Sequence, residues 1–433
     1  MSMRYLSTRG AAPPATLSQA IQAGAAPDGG LYMPEAVPAA DLSRLDGDSP
    51  LARFAAFMLA PFFAGDGLEA ELPSICAEAF TFPAPLVTPD PARPGLRALE
   101  LFHGPTGAFK DFGARFLMAC LDRLGRPAEP LTVLAATSGD TGGAVGCAAE
   151  GRNGVGVLIL YPRGRVSAFQ ELQLTCWGDP VRALEVDGDF DACQALVKAA
   201  FADRALRARH HLTSANSINV ARLLPQAAYL AHASMRQFAA DRVPPGLIIP
   251  TGNLGHGFAA VYARAMGFPI GPILLATNAN ATLHDWHTGG PFDARPSLAT
   301  LANAMDVGNP SNFERLAHLP PDIGRVVVER VDDHAIRDRI AAEHRASGYV
   351  WCPHSATAAE AYARLPASSR GERSWIAAVT AHPFKFAEVV EPNIDQPVAP
   401  PPALASLLGR SQSRHAIVAS PEAVASVLDQ ELV

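Results

Sequence analysis

Strands alternating with helices from residue 131 to residue 380 predict an α/β protein of two doubly wound lobes with mostly parallel sheets. An N-terminal helical or mixed block precedes them. Three observations carry that prediction. The run Val155–Tyr161 is apolar rather than alternating, as strands buried on both faces are, and Leu131–Ala136 and Leu247–Pro250 are short runs of strand type. Stretches of helical length and amphipathic pattern follow them. Glycine-rich turns fall between strand and helix at 137–143 and 251–257, where open α/β sheets bind ligands. With 433 residues, 48% apolar and 18% charged, the chain is long and apolar enough for two or three domains.

Residues 1–95 form a compositional block rich in Ala and Pro, with helices expected over Leu17–Ala23 and Leu51–Phe63. The Pro-rich run from Phe82 to Pro94 reads as a linker closing it. The main region, 96–395, places a smaller lobe at about 130–212 and a larger lobe in the remainder. In the smaller lobe, strand Leu131–Ala136 leads into helix Gly142–Glu150 and strand Val155–Tyr161 follows. Ser167 and Gln170 then form a capping box, and strand Val181–Val186 and a long helix Phe190–Ala208 complete it. The larger lobe continues with helix Val220–Met235, strand Leu247–Pro250, helix Phe258–Met266 and strand Ile273–Thr277. Strand Arg325–Val331, helices Asp333–Arg345 and Ala356–Leu365, and strand Trp375–Thr380 follow. Residues 396–433 read as a tail, with Pro397–Pro402 at its start and a short helix capped by Ser420-Pro421-Glu422.

A net charge of −7 argues against nucleic acid or an anionic membrane as the main partner. Six scattered cysteines without metal-ligand spacing read as buried reduced thiols, and no metal site is expected. No apolar run approaches the roughly 20 residues of a membrane span, and Met1–Leu6 lacks a leader pattern. A cytoplasmic, soluble protein is expected, either monomer or homodimer.

Four segments carry chemistry. His103–Phe112 sets Lys110 after a Gly-Pro-Thr turn and between phenylalanines, surroundings that favour a neutral, nucleophilic amine; a partly exposed lysine at a helix start is the alternative. Thr137–Gly143 joins a strand to a helix with hydroxyls and free N–H groups suited to a carboxylate or phosphate. Thr251–Gly257 repeats that arrangement with three glycines that let the backbone approach a phosphate, and it has neither P-loop nor dinucleotide spacing. Asn216–Arg222 brings two amides, a hydroxyl and an arginine to the head of a helix, where they can converge on a phosphate; an N-cap with a solvent-facing arginine is the alternative. Together they describe an imine-forming lysine, a carboxylate cradle and two separate phosphate seats.

These segments closely resemble the threonine synthase family, within the tryptophan-synthase-β-like, fold type II group of pyridoxal-phosphate enzymes. The likeness extends from Tyr5–Gly10 and Ala26–Tyr32 through Leu158–Gly164, Asp187–Lys198, Ser214–Asn219 and Asn303–Val307 to Thr380–Phe386. The resemblance implies pyridoxal 5'-phosphate as cofactor and O-phospho-L-homoserine as the small-molecule substrate, turned with water into threonine and phosphate. It implies that Lys110 is the Schiff-base lysine and proton carrier. Gly252, Asn253, Leu254, Gly255 and His256 would hold the cofactor phosphate, Asp140 would meet the ring hydroxyl, and Thr380 would face the ring nitrogen. Thr106, Ser138, Gly139 and Thr141 would meet the substrate carboxylate, with Asn216, Ser217 and Arg222 on its phosphate. The N-terminal block would be the extra domain of the bacterial and fungal branch.

Leu254 and His256 depart from the family pattern of an aromatic residue and Asn or Asp. His256 either bonds the cofactor phosphate or points to solvent. Gly107 replaces a bulkier apolar residue, which is expected to loosen the turn before Lys110, and His354 reads as structural. The rival readings are a dehydratase or β-replacement enzyme of the same fold acting on an unphosphorylated amino acid, and a non-catalytic binding paralogue. Closure of one lobe on the other over the substrate is a further expectation.

Overall fold

The apolar runs form strands at the expected places, and each continues into a helix that covers one face of its sheet. A computed structural model describes residues 2–126, 128–137 and 139–431. A hairpin of β1 (Tyr5–Ser7) and β2 (Tyr32–Pro34) opens the N-terminal block, followed by β3 (Leu86–Val87) and β4 (Leu96–Glu100). The first lobe contains β5 (Leu131–Ala136), β6 (Val155–Pro162), β7 (Val181–Asp187) and β8 (Leu212–Ser214). The second adds β9 (Gly246–Pro250), β10 (Ile273–Thr277), β11 (Val327–Arg330) and β12 (Trp375–Val379), and β13 (His415–Val418) lies in the tail.

Two sheets result. The larger has the order β11-β10-β9-β12-β4-β3 and the smaller β13-β7-β6-β5-β8. Apart from the antiparallel β3–β4 pair every ladder in both is parallel, as crossover helices require. Strands β5, β6 and β9 are buried along their whole length, which explains their lack of alternation.

Several expectations are corrected. The Pro-rich linker contributes β3, an edge strand paired through Leu86 and Leu99, where the missing N–H of a neighbouring proline costs no ladder bond. The single helix over 190–208 is two, Phe190–Ala202 and Arg204–Arg209. Asp203 divides them because its carboxylate accepts from the N–H groups of Ala205 and Leu206 and so caps a new helix. The tail supplies β13 to the edge of the smaller sheet, with Val424 and Leu428 of its last helix buried in that lobe's outer core.

The helix Val220–Asp241 is the axis of the molecule, buried on most of its surface. The N-terminal helix Leu51–Phe63 packs on it, with the Phe54 ring edge-on to His232 at 4.9 Å, and its buried Phe54, Met58 and Phe62 belong to one core with Val133 and Leu174 of the smaller lobe. Each such side chain contributes roughly 1.5–3 kcal/mol of burial free energy. The N-terminal block is therefore continuous with the catalytic lobes and forms part of their interior. Among the described residues no helix is long and apolar enough to cross a membrane, and no cluster of His, Cys, Asp and Glu could hold a metal. All six cysteines are free, five of them buried.

Candidate active site

Every segment singled out above begins where a parallel strand ends. Asp140 follows β5, Asn216 follows β8, Thr251 follows β9 and Thr380 follows β12, so the carboxyl ends of both sheets open onto one cavity of about 590 Å³. Lys110, Asp140, Thr141, Asn216, Ser217, Arg222, Gly252, Asn253, Leu254, Gly255, His256 and Thr380 all line it. Ser138 lies outside the described residues. Gly139 is buried at φ +140° and absent from the wall. Thr106 is also off the wall, because its hydroxyl and N–H both donate to the buried Asp111 carboxylate at 2.6 and 2.9 Å.

The turn before Lys110 is stapled to the end of β12. Phe109 N–H donates to Thr380 O at 2.8 Å and His382 N–H to Gly107 O at 2.9 Å. Gly107 adopts φ +67°, and a Cβ there would meet Leu404 Cδ1 at 2.9 Å. The turn is not loosened as expected: a leucine from the tail fills the space a larger residue would occupy. Lys110 has no hydrogen bond or ion pair among the described residues, only its position 5.9 Å from the Phe109 ring centroid. Burial first, then the charges of Arg222 and Lys385, push its pKa down to about 8 against the opposing pull of Asp140. The amine is thus a poised nucleophile.

A second buried lysine stands in contrast. Lys385, whose side chain is 0% exposed, is ion-paired to Asp140 at 2.9 Å and donates to Thr106 O at 2.8 Å. Burial opposes the charge on Asp140, but Lys385, Lys110 and His354 outweigh it and hold the carboxyl below its usual range. Sequence reasoning missed Lys385, although Phe384-Lys385-Phe386 shows the same phenylalanine flanking that singled out Lys110.

The turn after β9 is open. The N–H groups of Gly252, Asn253 and Leu254 have no acceptor among the described residues, and the buried Thr251 hydroxyl is also unpartnered. Leu254 takes φ +62°, and a Cβ on Gly252 would stand 2.7 Å from Met305 Cα, so the close approach requires glycine. Free amides at the head of helix Gly255–Ala265, a spare hydroxyl and a glycine-lined approach form an anion seat that fits the phosphate of an aldehyde cofactor bound at Lys110.

The second seat adjoins the first. Asn253 donates its side-chain amide to Ser217 Oγ at 2.6 Å, and Asn312 donates to the same oxygen at 3.2 Å. The side chains expected at two separate phosphate seats are thus joined by hydrogen bonds. Arg222 is buried rather than solvent-facing, with Nη1 donating to Ala215 O at 2.5 Å, Nε unpartnered and no carboxylate in ion-pair range among the described residues. Arg315, fully buried and unremarked in the sequence, donates to the carbonyls of Ser217, Ile218 and Tyr32, and so fixes this turn to the N-terminal block.

His256 does not point to solvent. It is buried, stacked on Phe109 at 4.6 Å, and bonded through Nε2 to the Tyr229 hydroxyl at 3.0 Å, with Nδ1 unpartnered. Burial pushes its pKa down to about 3, so it is neutral. His354 is buried and lines the cavity. Its Nε2 accepts from Ala304 N–H at 3.0 Å, which places the remaining proton on Nδ1, without a partner among the described residues, and burial lowers its pKa to about 4. Thr380 lines the cavity; its N–H donates to Ser355 Oγ at 2.9 Å, and its hydroxyl shares a hydrogen bond with the same oxygen at 3.4 Å.

The fold and this site define a pyridoxal-phosphate-dependent enzyme, and the family model of that description matches residues 84–380. Models described as threonine synthase N terminus and threonine synthase, C-terminal match residues 4–80 and 355–428. Threonine synthase of Haemophilus influenzae is 39% identical over 87% of this chain and 88% of its own length; that of Escherichia coli is 37% identical over 90% and 91%. The Escherichia coli crystal structure superposes with a TM-score of 0.89 at 33% identity, and the pyridoxal-phosphate-bound structure from Brucella melitensis with 0.90 at 33%, each covering 99% of both chains. Maize serine racemase, at 19% identity and a TM-score of 0.52 over 79% of this chain, shares the fold alone. The chain belongs to the threonine synthase family.

Proposed function

We propose that the chain converts O-phospho-L-homoserine and water to L-threonine and inorganic phosphate, as a carbon–oxygen lyase acting on a phosphate ester. The observation that carries this reading is the unpaired Lys110 amine, facing a cavity that also holds an open anion seat and a buried arginine without a carboxylate partner. Pyridoxal 5'-phosphate, when bound, supplies the electron sink for carbanion chemistry.

The chain's residues do the rest. Lys110 would hold the cofactor aldehyde and carry the substrate's Cα proton; its lowered pKa near 8 suits it to accept and return that proton near neutrality. The amides of Gly252–Leu254, with Gly255 and His256, would hold the cofactor phosphate. Asp140 would serve the ring hydroxyl and the uncharged Thr380 hydroxyl the ring nitrogen, a neutral partner that favours elimination and replacement over transamination. Ser138 and Thr141 meet the substrate carboxylate. Asn216, Ser217 and Arg222 bind the γ-phosphate and stabilise its charge as it leaves. Enclosure by both lobes restricts water to the one that adds at Cβ.

Incubating the cofactor-loaded protein with O-phospho-L-homoserine and following proton and phosphorus NMR tests this. Stoichiometric threonine and phosphate are expected. Phosphate with 2-oxobutyrate indicates a lyase that releases its intermediate before water adds, and turnover of unphosphorylated amino acids alone favours the dehydratase reading.

A further inference from the structure

Lys385 has no part in the reaction as described, yet it is a fully buried charge at the site. Its ammonium touches Asp140 Oδ1 at 2.9 Å and Thr106 O at 2.8 Å, with both charged side chains almost wholly removed from solvent. Thr106 is one turn ahead of Lys110 and is itself fixed by Asp111 and by Gln173, whose amide donates to the same carbonyl at 3.0 Å. Lys385 therefore joins three elements, the turn carrying Lys110, the smaller lobe's helix Asp140–Ala149 and the segment after β12. We propose that Lys385 is a positioning residue for Lys110: its ammonium pairs with Asp140 and adds its own positive charge beside the reacting amine, so that the carboxylate faces the cofactor ring without holding that amine protonated.

The charges around the site make the argument. Lys110 faces Asp140, Arg222 and Lys385, and Asp140 faces Lys385, Lys110 and His354. Asp111, behind Thr106, faces Lys385 and Arg115. Among the described residues, the one hydrogen bond to the Asp140 carboxylate apart from Lys385 is the Gln170 amide at 3.5 Å. Without the Lys385 ammonium, a buried carboxylate would have Lys110 as its nearest cation and would hold the Lys110 amine protonated. With Lys385 in place, Asp140 stays charged toward the ring and Lys110 is released for chemistry. A purely structural tie would need only a hydrogen-bond donor at position 385, not a charge.

Two substitutions separate those roles. Lys385→Gln keeps a donor for Thr106 O without the charge, and Lys385→Arg keeps the charge. The readouts are the pH midpoint of the visible absorption of the pyridoxal-phosphate-loaded protein and the pH dependence of cofactor capture by the apoprotein. Lys385→Gln is expected to raise both midpoints by about one pH unit or more, and Lys385→Arg to leave them near the wild-type values. A loaded Lys385→Gln protein with an unshifted midpoint overturns the proposal. Should that variant not fold, the Asp140→Asn/Lys385→Met double variant replaces it: its midpoint should lie above that of Asp140→Asn alone, and equal midpoints overturn the proposal. The inference rests on Lys110 as the cofactor lysine. A wild-type protein with no visible band at any pH defeats that reading, whereas a band indifferent to position 385 defeats only this one.

Discussion

The two glycine-rich turns, Thr137–Gly143 and Thr251–Gly257, look alike in sequence and behave differently in the fold. In the smaller lobe the turn closes on itself: the N–H groups of Gly139 and Gly142 both donate to Thr137 Oγ1 at 3.0 Å, and Gly143 N–H returns to Gly139 O. In the larger lobe, among the described residues, the Thr251 hydroxyl has no partner and three successive amides have no acceptor. A threonine at the end of a strand can therefore either consume a turn's donors or leave them for a ligand. The first turn offers a side chain, Asp140, and the second offers backbone. The seat proposed for the cofactor phosphate belongs to the second.

Both turns frame Lys110, so its removal sets the largest effect. Lys110→Ala should lower turnover by about 10³-fold or more and abolish borohydride trapping of the cofactor, which peptide mass spectrometry would read. Next, Arg222→Met, beside the open turn, should reduce kcat/KM for the phosphorylated substrate by about 100-fold, the scale of a lost charge-assisted contact. Cofactor affinity should change little, and an unaltered kcat/KM would remove the arginine from phosphate recognition.

The contrast between the turns is tested most directly by adding a methyl group to each. Gly252→Ala, with its Cβ 2.7 Å from Met305 Cα, should weaken cofactor binding by about 30-fold in a fluorescence titration. Gly142→Ala, whose Cβ would meet Leu174 Cδ2 at 2.5 Å, should cost about 1–3 kcal/mol of stability in urea and leave the affinity of the folded fraction intact. The reverse pattern would break the comparison. A smaller effect is expected from pH. Lys110 must lose a proton to attack, so cofactor capture by the apoprotein should slow about tenfold per unit below its midpoint near pH 8 and level off above it. The smallest is Tyr229→Phe, which removes the partner of His256 Nε2 and should weaken cofactor binding about fivefold, the value of one buried hydrogen bond.

Fold class, the order of most elements and the four chemical segments were legible because each is written locally, in a run of apolar residues or a turn at a strand's end. Long-range pairings were not. The Lys385–Asp140 ion pair, the Arg315 bridge to Tyr32 and the seating of Leu404 over Gly107 join residues far apart in sequence, and no periodicity encodes them. The direction of His256 was left open for a related reason: it depends on what packs around the ring, Tyr229 and Phe109. The break at Asp203 was misread because a capping carboxylate and an ordinary surface carboxylate look the same until the backbone direction is known.

The placement of β13 has a consequence for how the molecule is made. The smaller sheet is synthesised early, yet its outer edge beside β7 and part of its outer core come from residues 415–431, which leave the ribosome after the entire larger lobe. Until then β7 presents an unpaired edge and Leu184, Val186 and Leu196 lack their cover from Val424 and Leu428. The nascent smaller lobe is thus a natural client for a chaperone, and a ribosome stalled before residue 415 would release a protein whose larger sheet is complete and whose smaller sheet is open to the wrong partner.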